Sequence, residues 1–441
     1  MTHQSKEMAA QPVKLMNRNF FLLWQGQFVS TWGSQAFAVA MIFWIKHVTG
    51  SAALMGLLQM LAGLPAVVLG PIGGAFADRY SRRQIIILSD LVRGVVVLAL
   101  AGLVFLLPEA TQLTLVALFV VAVLISSISA FFGPAISAAI PDLVPRSKVA
   151  SANSLGQMAL QLSLFIGQGL GGTFYRLLGA SVLFLIDGSS YLFAAASETF
   201  VDIPQTMPRQ DGGWRKQLGQ FRQDIAEGLR YIWGQKGLRE LVFVSAFLVF
   251  FTAPVIVLLP FFVEDTLQVA IDWYGFLLAA YGLGTLMGYL FAGALQFSAQ
   301  TRKRLMILFI VLESAGYGLL GLIEVPEMAL VLALLGGFTG GFVTVNITTI
   351  LQVATPGEIR GRVFGLLATI SGSLTPVAMG LAGVVADLLD QNIPLIYATC
   401  GVIMLLLTLW VSASREFRSL LAQPLEARLS EPLDYQSVLL D

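Results

Sequence analysis

Long apolar runs separated by short polar segments dominate the chain. A helix that crosses the hydrocarbon core of a bilayer needs about 20 mostly apolar residues. Twelve runs meet that demand, at 20–45, 52–76, 84–107, 112–132, 154–176, 181–200, 239–262, 273–296, 305–323, 328–352, 363–387 and 394–413. They are continuous rather than alternating, which excludes a transmembrane β-barrel and predicts an all-α integral membrane protein. The first run is too long for a signal-peptide core and has no A-x-A exit, so no cleavage is expected.

Composition narrows the classes. Of the 441 residues, 56% are hydrophobic and 12% charged, against roughly 25% charged in a soluble domain. A cytosolic enzyme and a nucleic-acid binder are excluded, and zero net charge gives no pull on a polyanion. The single cysteine, Cys400, leaves no disulfide framework or cysteine zinc site, and His3 and His47 are far apart in sequence. No metal or cofactor is expected. Without a clustered nucleophile and base, the chain does not read as an enzyme. No G-x-x-x-x-G-K-[ST] loop is present to suggest ATP drive.

The charges that remain are arranged. With the N-terminus placed in the cytoplasm, all 26 lysines and arginines except Lys46, Arg93 and Arg176 fall in the termini and inner loops. The outer loops carry Glu109, Glu264, Asp265, Asp272, Glu324 and Glu327. This asymmetry predicts a multi-pass plasma (inner) membrane protein with both termini cytoplasmic.

The longest polar stretch follows the sixth run and divides the chain. Residues 1–200 are expected to form one six-helix bundle, 201–238 a cytoplasmic linker, 239–413 a second bundle and 414–441 a cytoplasmic tail. In the linker, Ile225, Leu229 and Ile232 recur at helical spacing, either as a membrane-surface helix bracing the bundles or as a plain linker helix. The halves echo each other. GAFADRYSRR follows the second run and GALQFSAQTRKR the eighth, with Gly74 and Gly293 standing 219 residues apart. Pro145 and Pro356, after the fourth and tenth runs, stand 211 apart. Twelve transmembrane helices in two pseudo-symmetric six-helix bundles follow, an arrangement suited to a site between the halves.

GAFADRYSRR resembles the loop signature of the major facilitator superfamily, through Gly74, Ala77, Asp78, Arg79, Arg82 and Arg83, with Ser81 replacing a glycine. The resemblance implies an inner gate latch in which Asp78 caps the start of the eleventh span when the cytoplasmic side is closed. Gly26–Ala52, ILSDLVRG, FFGPA, PDLV…ANSL and GEIRGRV resemble macrolide-efflux-like and siderophore-exporter-like members, the drug:proton antiporter group of third type. Two features depart from such antiporters: the fifth span reads GQGLGG with Gln168 in place of a proline, and the fourth lacks a membrane arginine.

Charges inside a membrane are costly and point to function. Asp90 and Arg93, Asp187, and Glu313 are the candidates for proton coupling, each with a structural reading beside it: an ion pair for the first two, a hydrogen-bonded acid for the others. The resemblance implies that spans one, four, seven and ten line the cavity while three, six, nine and twelve are scaffold. On the lining spans, Gln25, Trp32, Gln35, Thr252 and Asn346 are candidates to meet substrate. Such a surface suits a small amphipathic organic compound. The expected function is proton-coupled export by a monomer that meets substrate, protons and lipid; the alternatives are a lysophospholipid transporter and an uncoupled facilitator.

Overall fold

The structure is a computed structural model that describes residues 15–205, 214–295 and 297–422. Among the described residues, twelve long helices in two sets of six carry the fold, with a further helix, Trp214–Gly234, between the sets. The first six are α1 (Arg18–Thr49), α2 (Ala52–Ala77), α3 (Arg82–Leu106), α4 (Thr111–Leu143), α5 (Val149–Gly169) and α6 (Gly171–Glu198). Then come α7 (Trp214–Gly234), α8 (Lys236–Val257) and the single turn α9 (Leu259–Phe261), which runs into a π-turn at Phe262–Thr266. The rest are α10 (Asp272–Ala294), α11 (Ala299–Leu320), α12 (Pro326–Ala354), α13 (Gly357–Leu388), α14 (Ile393–Ala413) and the short α15 (Arg415–Leu421). Residues 206–213 of the expected linker and most of the expected tail lie outside the described residues.

Ten of these helices are long and apolar enough to cross a membrane. Of the twelve, α5 and α11 fall short because serines, glutamines and an asparagine dilute α5 and a Thr-Arg-Lys-Arg start dilutes α11. Polar caps explain several starts: the side chains of Asn17, Ser51, Ser81, Ser298 and Asn392 each accept a backbone N–H of the following turn. One boundary differs from the expected ones. Helix α4 runs on to Leu143 because FFGPAISAAIP adds no charge to stop it. Gly179, at φ +75°, breaks α6, so the residues before it belong to the fifth span, as the expected spans 154–176 and 181–200 have it.

The same packing recurs in each half. In the first, α1 packs on α5 and α6, α2 on α4, and α3 on α4 and α6. In the second, α8 packs on α13 and α14, α10 on α12, and α11 on α12 and α14. This is the pseudo-symmetry that the echoed loops imply. Small residues make it possible, since without a hydrophobic drive between helices in lipid, close contact supplies the attraction. Gly284 and Gly288 of α10 and Gly337 and Gly341 of α12 lie against each other's backbones, where an added Cβ would stand 2.0–2.5 Å from a carbonyl oxygen.

One end of the bundle carries the acidic loops and the other the basic ones. The halves meet at the acidic end through two antiparallel pairs, α2 with α13 and α5 with α10. In the first pair, Gly56 faces Met379, Gly63 faces Pro376 and Gly383 faces Ala52. Contact ends near Val67 and Gly372; beyond it Gly70, Gly74, Gly361 and Gly365 have open space beside them. The bundle is therefore closed at the acidic end and parted at the basic end.

Candidate functional site

Charge holds the closed end. Lys46, in the last turn of α1, is 7% exposed, and its ammonium donates to Glu264 at 2.6 Å, Asp265 at 3.1 Å and the Pro260 carbonyl at 3.2 Å. His47 Nε2 lies 3.1 Å from Glu264, and Arg176 pairs with Asp272 at 2.9 Å. Burial works against ionised Glu264, but contacts with His47 and Lys46 outweigh it and hold the carboxyl below its ordinary range. Asp387 of α13 accepts the Ser51 hydroxyl at 2.6 Å and the Ala52 and Ala53 N–H groups at 2.9 and 3.0 Å. A carboxylate thus sits at the N-terminus of α2, where the helix dipole favours it.

At the basic end the Gly74–Arg83 loop is tied to its own half. Arg82 donates to Asp142 at 2.5 Å and to the Ala138 carbonyl at 3.0 Å, and Arg83 donates to the Thr199 carbonyl. Among the described residues, no hydrogen bond or ion pair reaches the Asp78 carboxylate, and Arg79 Nε and Nη2 have no partner. At the first glycines of α13, Gly357 and Gly361, an added Cβ would meet only open space.

A cavity of about 510 Å³ lies beneath the closed end. Its walls are mostly apolar, from Phe165 of α5, Val255 and Ile256 of α8, Leu277 to Tyr289 of α10, Tyr317 and Leu320 of α11, and Ala333 of α12. Polar atoms come from Gln161, Gln168, Thr252, Thr285 and Glu313. Of the four spans expected to line it, α8 and α12 do and α1 and α4 do not. Helix α11, expected as scaffold, contributes instead, because Gly316 and Gly336 leave open space toward it.

The predicted lining residues scatter. Thr252 is on the wall. Gln35 stands one step behind it, accepting the Gln168 amide at 2.7 Å. Gln25 turns to α6 and donates to Ser197 at 3.2 Å, Trp32 packs edge-on to Phe174 with its indole N–H unpartnered, and Asn346 is buried and donates to the Phe342 carbonyl at 2.9 Å.

The first half holds a second ionisable group, fully enclosed. Asp90 and Arg93 are 3.2 Å apart, and the guanidinium lies over Phe132 at 4.1 Å. Asp187, at 0% exposure, accepts the Ser34 hydroxyl at 3.2 Å. Glu198 joins them through Gln27, whose amide donates to it at 2.8 Å. Sequence reading did not single out Glu198, although it sits 1% exposed inside the bundle. It also missed the ion pairs that close the acidic end; the signal available was Lys46 and Arg176, two basic residues among acids on the outer side.

The chain is similar along most of its length to known transporters. It is 25% identical over 378 residues to macrolide efflux protein A of Streptococcus pyogenes, covering 85% of this chain and 90% of that protein. It is 24% identical to the multidrug efflux pump Tap of Mycolicibacterium fortuitum, covering 78% and 83%, and 27% identical to the enterobactin exporter EntS of Shigella boydii, covering 79% and 80%. In fold it is similar to a bacterial homolog of the human lysosomal transporter Spinster in an inward-facing, unoccupied conformation, with a TM-score of 0.61 at 17% identity over 91% of this chain and 96% of that one. It is also similar to the nucleoside transporter NupG, with a TM-score of 0.64 at 14% identity over 92% and 100%. The family profile for transmembrane secretion effectors matches residues 10–438. This chain, a multi-pass membrane transporter with twelve helices in two like halves, belongs to that family of the major facilitator superfamily.

Proposed function

We propose that this protein exports a small amphipathic organic compound from the cytoplasm by alternating access, driven by protons. The observation that carries the reading is the cavity of about 510 Å³ walled by α5 of one half and α8, α10, α11 and α12 of the other, beneath an acidic end that is shut, in a bundle whose α2 and α13 part toward the basic end. With the basic end facing the cytoplasm, this is a loading state. Its size and greasy walls suit a drug-sized ligand. Closure of the basic end brings Asp78 and Arg79, unpartnered here, to the start of α13, while Gly74 allows close approach and Arg82 and Arg83 anchor the loop. Asp187, Glu313 and the Asp90–Arg93 pair are the groups that would carry protons.

Everted vesicles test this. They should accumulate an amphipathic dye or macrolide, and a protonophore should abolish the accumulation. Accumulation without proton dependence leaves a facilitator; none at all sinks the reading. Lysophospholipid movement has one observation in its favour, since the cavity wall includes Phe165 and Leu283, large apolar side chains that are each more than half exposed. Lysolipid that displaces the dye from purified protein would support it.

A further inference from the structure

Glu313 is the one acid on the cavity wall, and the lining includes no lysine, arginine or histidine. Among the described residues no hydrogen bond or ion pair reaches its carboxyl group. The side chain is 8% exposed, yet its oxygens are not among the sealed-off buried atoms, and they open on the cavity. Glycine makes the opening. Helix α11 packs chiefly against α12 and α14, so a side chain on it reaches the cavity only past α12. At Gly340 the face of α12 is bare. A Cβ there would stand 3.2 Å from Glu313 Oε1 and 3.6 Å from the Tyr281 hydroxyl. The acid and the phenol converge on that bare face, and Tyr317 stands one turn along α11.

A carboxyl group in apolar surroundings without a protein counter-charge must be discharged by something else. A proton does this; so does a ligand's cation, attracted more strongly here than in water because the local dielectric is low. The neighbouring rings of Phe165, Tyr281, Tyr289 and Tyr317 offer faces that also favour a cation. We propose that the cavity selects amphipathic compounds bearing an ammonium or similar cationic group, with Glu313 as the residue that recognises the charge. This deepens the export reading above and rests on it.

The test uses purified full-length protein in nanodiscs and two probes of like shape: tetraphenylphosphonium, a permanent cation, and uncharged triphenylphosphine oxide. Glu313→Gln should weaken the cation at least tenfold and leave the neutral probe within about twofold. Gly340→Ala, which presses a methyl toward the carboxylate while keeping its charge, should weaken the cation selectively and less. Glu313→Asp should restore part of the preference. Should Glu313→Gln not fold, the Asp and Gly340→Ala variants carry the comparison. Equal loss of both probes, or no loss of the cation, overturns the assignment. If vesicles still export in that case, only the recognition claim fails; if the wild-type protein neither binds nor exports either probe, the export reading fails with it.

Discussion

Replacing Asp387 by alanine measures how firmly the acidic end is held. Its carboxylate accepts three hydrogen bonds at the start of α2, from Ser51, Ala52 and Ala53, at 2.6, 2.9 and 3.0 Å. Hydrogen bonds to a charged group contribute about 1.5–3 kcal/mol net, and a charge at a helix terminus about 0.3–1 kcal/mol. The three bonds share one carboxylate at the protein edge, and Ser51 still caps Leu54 at 3.1 Å after the loss. The lower part of the combined range, about 2–3 kcal/mol, is therefore the working figure. At 1.4 kcal/mol per tenfold, the balance between closed and open acidic end should move roughly 30- to 150-fold toward open. Spin labels at Glu109 and Glu324, exposed on opposite halves at that end, would report it by pulsed dipolar spectroscopy in a Cys400→Ser background. The alanine variant should show a longer distance that the parent lacks. Asp387→Asn, which keeps an acceptor and loses the charge, should fall between them. A distance distribution unchanged in the alanine variant would refute the reasoning, since the carboxylate would then contribute nothing to closure.

Glu264 gives a pH test with a definite sign. Its carboxyl is held below the ordinary value of 4.5, so its ionised form stabilises the closed end above that value and the contribution is lost as pH falls through the lowered one. The difference in Tm between the parent and Glu264→Gln should thus stay constant from neutral pH down to about 5 and shrink only under stronger acid; a gap that closes before pH 5 is reached would refute the assignment to Glu264. Gly383→Ala drives a methyl to 2.2 Å from the Ala52 carbonyl and should open the acidic end or lower Tm, whereas Gly365→Ala, with open space, should do neither. Arg362 pairs with Asp224 at 2.9 Å and with Glu227, tying α7 to α13. These are partly exposed pairs worth under about 1 kcal/mol each, so Arg362→Ala should raise hydrogen exchange across α7 while changing Tm by little.

The twelve spans were legible because a membrane demands length and apolarity, and both are local properties of sequence. The Gly74–Arg83 loop was legible because its spacing is local too. What was not legible depends on rotation and pairing. Runs that are apolar on all sides do not declare which face looks inward, so Gln25 and Asn346 turn into their own half while Glu313 reaches the cavity from a helix expected to stand aside. Lys46 and Glu264 are 218 residues apart, and Ser51 and Asp387 are 336 apart. No local pattern joins such partners; only the meeting of the two halves does. Glu198 was hidden differently, as a charge at a span's end that the fold draws inward.

The point where α2 and α13 cease to touch has a mechanical consequence. With a rise of about 1.5 Å per residue, α2 extends about 22 Å from the contact at Val67 to its start at Ala52, and about 15 Å from Val67 to its end at Ala77. If the halves rock about that contact, it is a fulcrum with unequal arms. Each ångström of closing at the basic end becomes about one and a half at the acidic end. Asp387 grips the tip of the long arm, where a bond of given strength opposes rotation with the most torque.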